Sequence, residues 1–115
     1  MLKHTINHVH TEPNADLDKY VSKKIGKLEK YIPKNARESS HVEVYLKEEK
    51  IKEKKECSCE VVVHLPHTKL TLHETTMNIY AAVDIVEAKL KNQLNKYKQT
   101  HIAKPRILAL LKHRR

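Results

Sequence analysis

The chain has 115 residues, with 23 Lys plus Arg against 14 Asp plus Glu, two Cys and a single Gly. That length suits one domain, and 39% hydrophobic residues can form a core, which argues against wholesale disorder despite 32% charged residues. One Gly excludes glycine-rich phosphate loops and dinucleotide fingerprints, and no apolar run reaches the ~18–20 residues of a membrane span.

The formal net charge of +9 is concentrated at one end. Residues 1–88 hold 14 basic and 14 acidic side chains and so balance, whereas residues 89–115 hold nine basic side chains and no acid. An acid-free end of this kind is a directed field that attracts polyanions, and nucleic acid is the commonest of these inside a cell. The alternative reading is a basic tail that serves only solubility. Met1–His8 has no apolar stretch for a signal peptide, so the expected location is cytoplasmic, with no membrane partner. Two cysteines then imply no disulfide framework.

Residues 2–11 predict a strand with Leu2, His4, Ile6, His8 and His10 on one face. Thr11 or Asn14 can cap the helix that follows, and Asp16 and Asp18 suit its positive first turn. Leu17, Val21, Ile25, Leu28 and Ile32 fall within about 80° of one another at ~100° per residue, and Pro33 ends the pattern. Lysines occupy the opposite side. The period then changes to two: His41–Lys47 and Glu56–Leu65 read as half-buried strands, joined by the charged segment Glu48–Lys55, which is expected to be a connection. A tight link at Leu65–Thr68 leads to a third strand, Lys69–Glu74, and the three strands form an antiparallel meander.

A second helix begins near Asn78, with Thr75 and Thr76 offering capping hydroxyls. Its stripe is Ile79, Val83, Val86, Leu90, Leu94 and Tyr97; Lys89 and Lys96 flank it on one side, Lys91 and Lys98 on the other. The order strand, helix, three strands, helix predicts a two-layer α+β sandwich, a four-stranded sheet with both helices on one face. The expected division is a domain over residues 1–100 and a basic tail over residues 101–115.

Enzyme chemistry finds no support, because no motif sets a Ser, Cys or Thr beside a base. No cofactor or small-molecule substrate is expected. The nine His lack the spacing of a zinc site, so no metal site is assigned. Cys57 and Cys59 share the parity of Val61 and Val63 and read as core. Among the tyrosines, Tyr97 reads as core; Tyr20, Tyr31, Tyr45 and Tyr80 lie off the apolar stripes and offer either ordinary rim packing or platforms for unpaired bases.

Two stretches carry a family resemblance. Asn78-Ile79-Tyr80-Ala81-Ala82-Val83-Asp84, continued by Lys89-Leu90-Lys91-Asn92-Gln93-Leu94-Asn95-Lys96-Tyr97-Lys98, resembles the final helix of the ribosome hibernation-promoting factor family. Leu17-Asp18-Lys19-Tyr20-Val21-Ser22-Lys23-Lys24-Ile25-Gly26-Lys27-Leu28-Glu29-Lys30-Tyr31 resembles the first helix of that family, which includes ribosome-associated inhibitor A and was historically labelled sigma-54 modulation protein. The chain departs from the pattern at Asn92 and in its His-rich first strand.

The resemblance implies a β-α-β-β-β-α fold similar to a double-stranded-RNA-binding domain. It also implies binding to the small (30S) ribosomal subunit, through 16S rRNA in the mRNA and tRNA channel, with translation inhibited in idle ribosomes. Position by position it points to Lys24, Lys27, Lys89, Lys96 and Lys98 as RNA contacts; local charge adds Lys23, Lys30 and Lys91. Lys89, Lys96 and Lys98 are expected to matter most, because they lie in the acid-free stretch of residues 89–115. Lys50, Lys52, Lys54 and Lys55, interleaved with Glu48, Glu49, Glu53 and Glu56, are expected to matter little. The 15 residues after Thr100 are too few for the ribosome-pairing domain of long members, which implies a short-type protein, monomeric off the ribosome. The competing functional class is a protein-interaction module that modulates transcription, and a His/Cys metal sensor is a weaker third.

Overall fold

A computed structural model describes residues 3–9 and 11–102; the expectations for Leu2, His10 and the basic tail beyond Ile102 fall outside the described residues. The elements are β1 (Lys3–Val9), α1 (Ala15–Leu28), a 3₁₀ turn (Glu29–Tyr31), α2 (Lys34–Arg37), β2 (His41–Ile51), β3 (Lys54–Leu65), β4 (Thr68–Thr76) and α3 (Ile79–Ile102). Strand order is β1-β2-β3-β4, with β1 parallel to β2 and the rest antiparallel. This is the predicted α+β sandwich.

Period-two alternation sends one face of the sheet inward. Val42, Val44 and Leu46 of β2 and Cys57, Cys59, Val61, Val63 and Leu65 of β3 are buried beneath the helices. Both helical stripes land on that floor: Leu17, Val21, Ile25 and Leu28 from α1, and Ile79, Val83, Val86, Leu90, Leu94 and Tyr97 from α3, are all buried. The two cysteines are free thiols in this core, and burial pushes the Cys59 thiol up to about 12, so it stays protonated and unreactive. The even residues of β1 meet α1, with His4 Nε2 3.0 Å from Ser22 Oγ and His8 Nε2 2.8 Å from Asp18 Oδ1.

Three local details differ from expectation. The first helix is α-helical only to Leu28; a 3₁₀ turn carries the chain to Ile32, which is still buried, and α2 follows Pro33. Glu48–Lys55 is not an open connection. It extends β2 and β3 into one long hairpin closed by Lys52-Glu53, with Lys52 at φ 59°. Cross-strand pairing satisfies the backbone there while the charged side chains stay in water, so polarity was no obstacle to a strand. Finally, Asn78 caps α3 itself: its Oδ1 accepts from the Tyr80 and Ala81 amides at 2.8 and 3.4 Å, and Thr76 Oγ1 supports the Asn78 amide at 3.0 Å. At the first helix the cap is Asn14, accepting from Asp16 and Leu17. Pro66 followed by His67 at φ 66° makes the β3–β4 turn, the arrangement a type II turn requires.

Candidate nucleic-acid interface

α1 and α3 lie side by side on the sheet, so each turns one flank toward the other. On α1 that flank carries Tyr20, Lys24 and Lys27, continued by Tyr31 of the 3₁₀ turn, at spacings of four, three and four. On α3 it carries Tyr80, Asp84, Glu87, Lys91 and Lys98. At one end the seam closes into a polar clamp. The Tyr20 hydroxyl donates to Asp84, Lys24 Nζ lies 3.4 Å from Asp84 Oδ1 and 3.7 Å from Glu87 Oε1, and the Tyr20 and Tyr80 rings meet edge to face at 5.0 Å. The Asp84 hydrogen bond raises the Tyr20 pKa. Partial burial works against the Lys24 charge, but Glu87 and Asp84 outweigh it and its pKa rises.

Toward the other end the seam opens into a groove of about 680 Å³. Lys27, Lys30, Arg37 and Lys91 line it together with Tyr31, against two acids, Glu29 and Glu87. Lys30 and Lys91 place their ammonium groups 5.3 and 5.7 Å from the centre of the Tyr31 ring. Arg37 Nε donates to the carbonyls of Glu29 and Ile32 at 3.1 and 3.0 Å, which fixes the guanidinium beside the groove. Lys98 Nζ donates to the Lys30 carbonyl at 3.2 Å and ties α3 to the 3₁₀ turn. The arrangement can hold an extended polyanion and offer it an aromatic ring.

The predicted lysines therefore separate into groups. Lys27, Lys30 and Lys91 line the groove, and Lys98, outside that lining, bonds the Lys30 carbonyl. Lys24 is held in the clamp. Lys23 is exposed on α1. Lys89 and Lys96 occupy the other flank of α3, away from α1, and Lys89 is ion-paired with Glu74 of β4. The expectation that Lys89 stands in acid-free surroundings is thus corrected: no acid follows it in the sequence, but Glu87 stands two residues before it and the sheet brings Glu74 to it. Arg37 and Tyr31 are the groove residues that the charge pattern did not single out. Arg37 lies beyond Pro33 in the segment between helix and strand, and a lone Arg there carries no periodic signal.

In the hairpin, lysines and glutamates meet in two ion pairs. Lys55 pairs with Glu48 at 3.2 Å and Lys47 with Glu49 at 2.7 Å. On the open face of the sheet, Tyr45 and His64 both bond Glu43, and His41 approaches Thr5 at 3.2 Å. The Tyr45 hydrogen bond, then that of His64, holds the Glu43 carboxyl below its usual pKa. Among the described residues no group of His, Cys, Asp and Glu has the geometry to hold a metal, and no helix is long and apolar enough to cross a membrane.

The four-stranded α+β sandwich is shared with known proteins. Residues 4–101 match the family described as "Sigma 54 modulation protein / S30EA ribosomal protein". The chain belongs to that family.

It is 31% identical over 106 residues to the ribosome hibernation promotion factor of Lactococcus lactis subsp. cremoris (strain MG1363), covering 92% of this chain and 55% of that protein. It is 33% identical over 79 residues to the ribosome hibernation promotion factor of Staphylococcus aureus (strain COL), covering 69% of this chain and 39% of that one. The chain spans about half the length of the curated relatives it matches. Two solved structures share the fold. The N-terminal domain of Thermus thermophilus Protein Y aligns with TM-score 0.69 at 22% identity, covering 84% of this chain and 99% of that one. A ribosomal subunit interface protein from Coxiella burnetii aligns with TM-score 0.67 at 20% identity, covering 84% and 98%.

Proposed function

We propose that this protein binds the small ribosomal subunit through 16S rRNA in the mRNA and tRNA channel and holds idle ribosomes out of translation. The observation that carries the reading is the groove between α1 and α3, where Lys27, Lys30, Arg37 and Lys91 gather on one side of the molecule with Lys98 beside them. Family membership supports it, since the curated relatives are named for ribosome hibernation. The contacts proposed are the predicted set, ordered by position. Lys27, Lys30 and Lys91 are central, Lys98 is adjacent through its bond to the Lys30 carbonyl, Lys23 and Lys96 lie outside the groove, and Lys24 and Lys89 are partly committed to acids.

Phosphate contacts of this kind release counterions, so affinity must fall steeply as salt rises. Co-sedimentation with purified 30S subunits at a series of salt concentrations is the direct test. Co-sedimentation at low salt that is lost at high salt is expected. Absence of co-sedimentation at low salt overturns the proposal and favours the protein-interaction reading that the sigma-54 label carries.

A further inference from the structure

We propose that the groove is a receptor for one unpaired nucleotide, whose base stacks on Tyr31 while its flanking phosphates are taken up by Lys30, Lys91 and Arg37. The inference rests on the RNA-binding reading above and narrows it from polyanion binding to capture of a single-stranded residue.

Four of the five tyrosines are engaged elsewhere. Tyr20 and Tyr80 pack edge to face, and the Tyr20 hydroxyl is held by Asp84. Tyr45 is bonded to Glu43 on the far side of the sheet, and Tyr97 is buried. Tyr31 is half-buried like Tyr20, Tyr45 and Tyr80, but it is the tyrosine that lines the groove. Its inner side packs against the core, which holds the ring still before any ligand arrives. A platform that is already rigid loses little entropy when a base stacks on it.

The surrounding charges have the chemistry of a nucleotide rather than of a bare anion. The Lys30 and Lys91 ammonium groups stand over the ring at 5.3 and 5.7 Å, a cation–π distance. An incoming base takes the place of an ammonium on the ring, and the displaced lysine finds the adjoining phosphate. Arg37, pinned by two carbonyls, presents a planar fork suited to a phosphate at the groove's edge. The groove's 680 Å³ lies within the ~300–1,000 Å³ typical of ligand sites. Of its two acids, Glu87 faces Lys24 at 3.7 Å. An A-form duplex keeps its bases stacked and paired, so it offers phosphates to the lysines but no free base to the ring.

The test compares a fluorescently labelled single-stranded adenine oligonucleotide of about ten residues, within the ~4–16 nucleotides a single-strand groove accommodates, with a blunt RNA duplex of equal phosphate count. Tyr31→Leu retains apolar packing and removes the π face; Tyr31→Phe retains both. Tyr31→Leu is expected to weaken single-strand binding about tenfold or more with its salt slope unchanged. It should leave duplex binding within about twofold, and Tyr31→Phe should bind like the wild type. Lys91→Gln should instead flatten the salt slope on both probes, by ~0.7 on the single strand and ~0.9 on the duplex. Circular dichroism and thermal melting confirm that each variant is folded.

Equal losses on both probes, no loss from Tyr31→Leu, or no single-strand binding by the wild type overturns the proposal. Co-sedimentation with 30S subunits, measured in parallel, separates this failure from failure of the ribosomal reading: subunits still bound by Tyr31→Leu with wild-type affinity leave ribosome binding standing and remove the stacking site.

Discussion

The β2–β3 hairpin and the interhelical groove are both rich in lysine, yet the structure makes them electrostatically unlike. In the hairpin, Lys50, Lys52, Lys54 and Lys55 are matched in number by Glu48, Glu49, Glu53 and Glu56, and Lys55 reaches across the strands to Glu48 at 3.2 Å. At the groove, three lysines and one arginine face two glutamates, one of which is directed at Lys24. A polyanion approaching the hairpin meets a field that cancels over a few ångströms; one approaching the groove meets a net positive surface. Lysine count alone does not locate a binding surface; the acids that folding brings alongside decide it.

The largest effect is expected where the groove depends on its floor. Leu94 is 1% exposed, packed beneath the end of α3 that forms one groove wall. Leu94→Ala should cost about 2–5 kcal/mol in denaturant unfolding, through lost burial and the cavity left behind. Hairpin side chains near Ile51, which is 47% exposed, have no such core to lose, and Ile51→Ala should change stability by less than about 0.5 kcal/mol. Similar costs at the two positions would mean that the hairpin end is as tightly packed as the helices.

The contrast itself is tested by single Lys→Gln substitutions with affinity for 30S subunits measured at several salt concentrations. Lys30 and Lys91 should each flatten the log–log slope by ~0.9 on duplex-like RNA. Lys50, Lys52 and Lys54 should leave it unchanged, and Lys89 should fall between, because Glu74 already engages its ammonium. Equal slopes from groove and hairpin would reduce the comparison to net charge. A larger effect from the hairpin would move the RNA surface there.

The smallest effect concerns the sheet face that neither helix covers. Glu43 has a folded pKa below its usual 4.5, so its contribution to stability is complete above that value and is lost as pH falls through the lower folded value. Removing the Tyr45 hydroxyl, the largest cause of that depression, returns the carboxyl toward 4.5. Stability of Tyr45→Phe should therefore decline less steeply on acidification below about pH 5. RNA affinity near neutral pH should be unaffected, since Tyr45 and the groove lie on opposite sides of the sheet. An unchanged acid limb would show that this hydrogen bond contributes nothing to the depression.

Legibility in the sequence followed the type of signal. Both helical stripes were readable residue by residue, since burying an apolar face imposes the 3.6-residue period, and every stripe residue named is buried. The inward parity of β2 and β3, including Cys57 and Cys59, was equally plain. The hairpin's outer length was not, because Glu48–Lys55 has no apolar residue except Ile51 and its strands are held by backbone pairing that any side chain permits. The candidate site was half legible. Its lysines showed as flanks of two helices, but nothing in local charge said which flank faces which neighbour.

Periodicity and charge, written into the chain, determined the α+β sandwich, the core and the two basic flanks of α3, because these depend on residues a few positions apart. Tertiary structure decided which flank becomes a binding surface. α3 lies between β4 and α1, so one flank meets Glu74 and loses part of its field, while the other meets Lys27, Lys30 and Tyr31 and gains cations and a ring. Residues 15 positions apart for Lys89 and Glu74, and 60 apart for Tyr31 and Lys91, settle that difference. Coulomb energy depends on distance through space, which no window along the sequence contains.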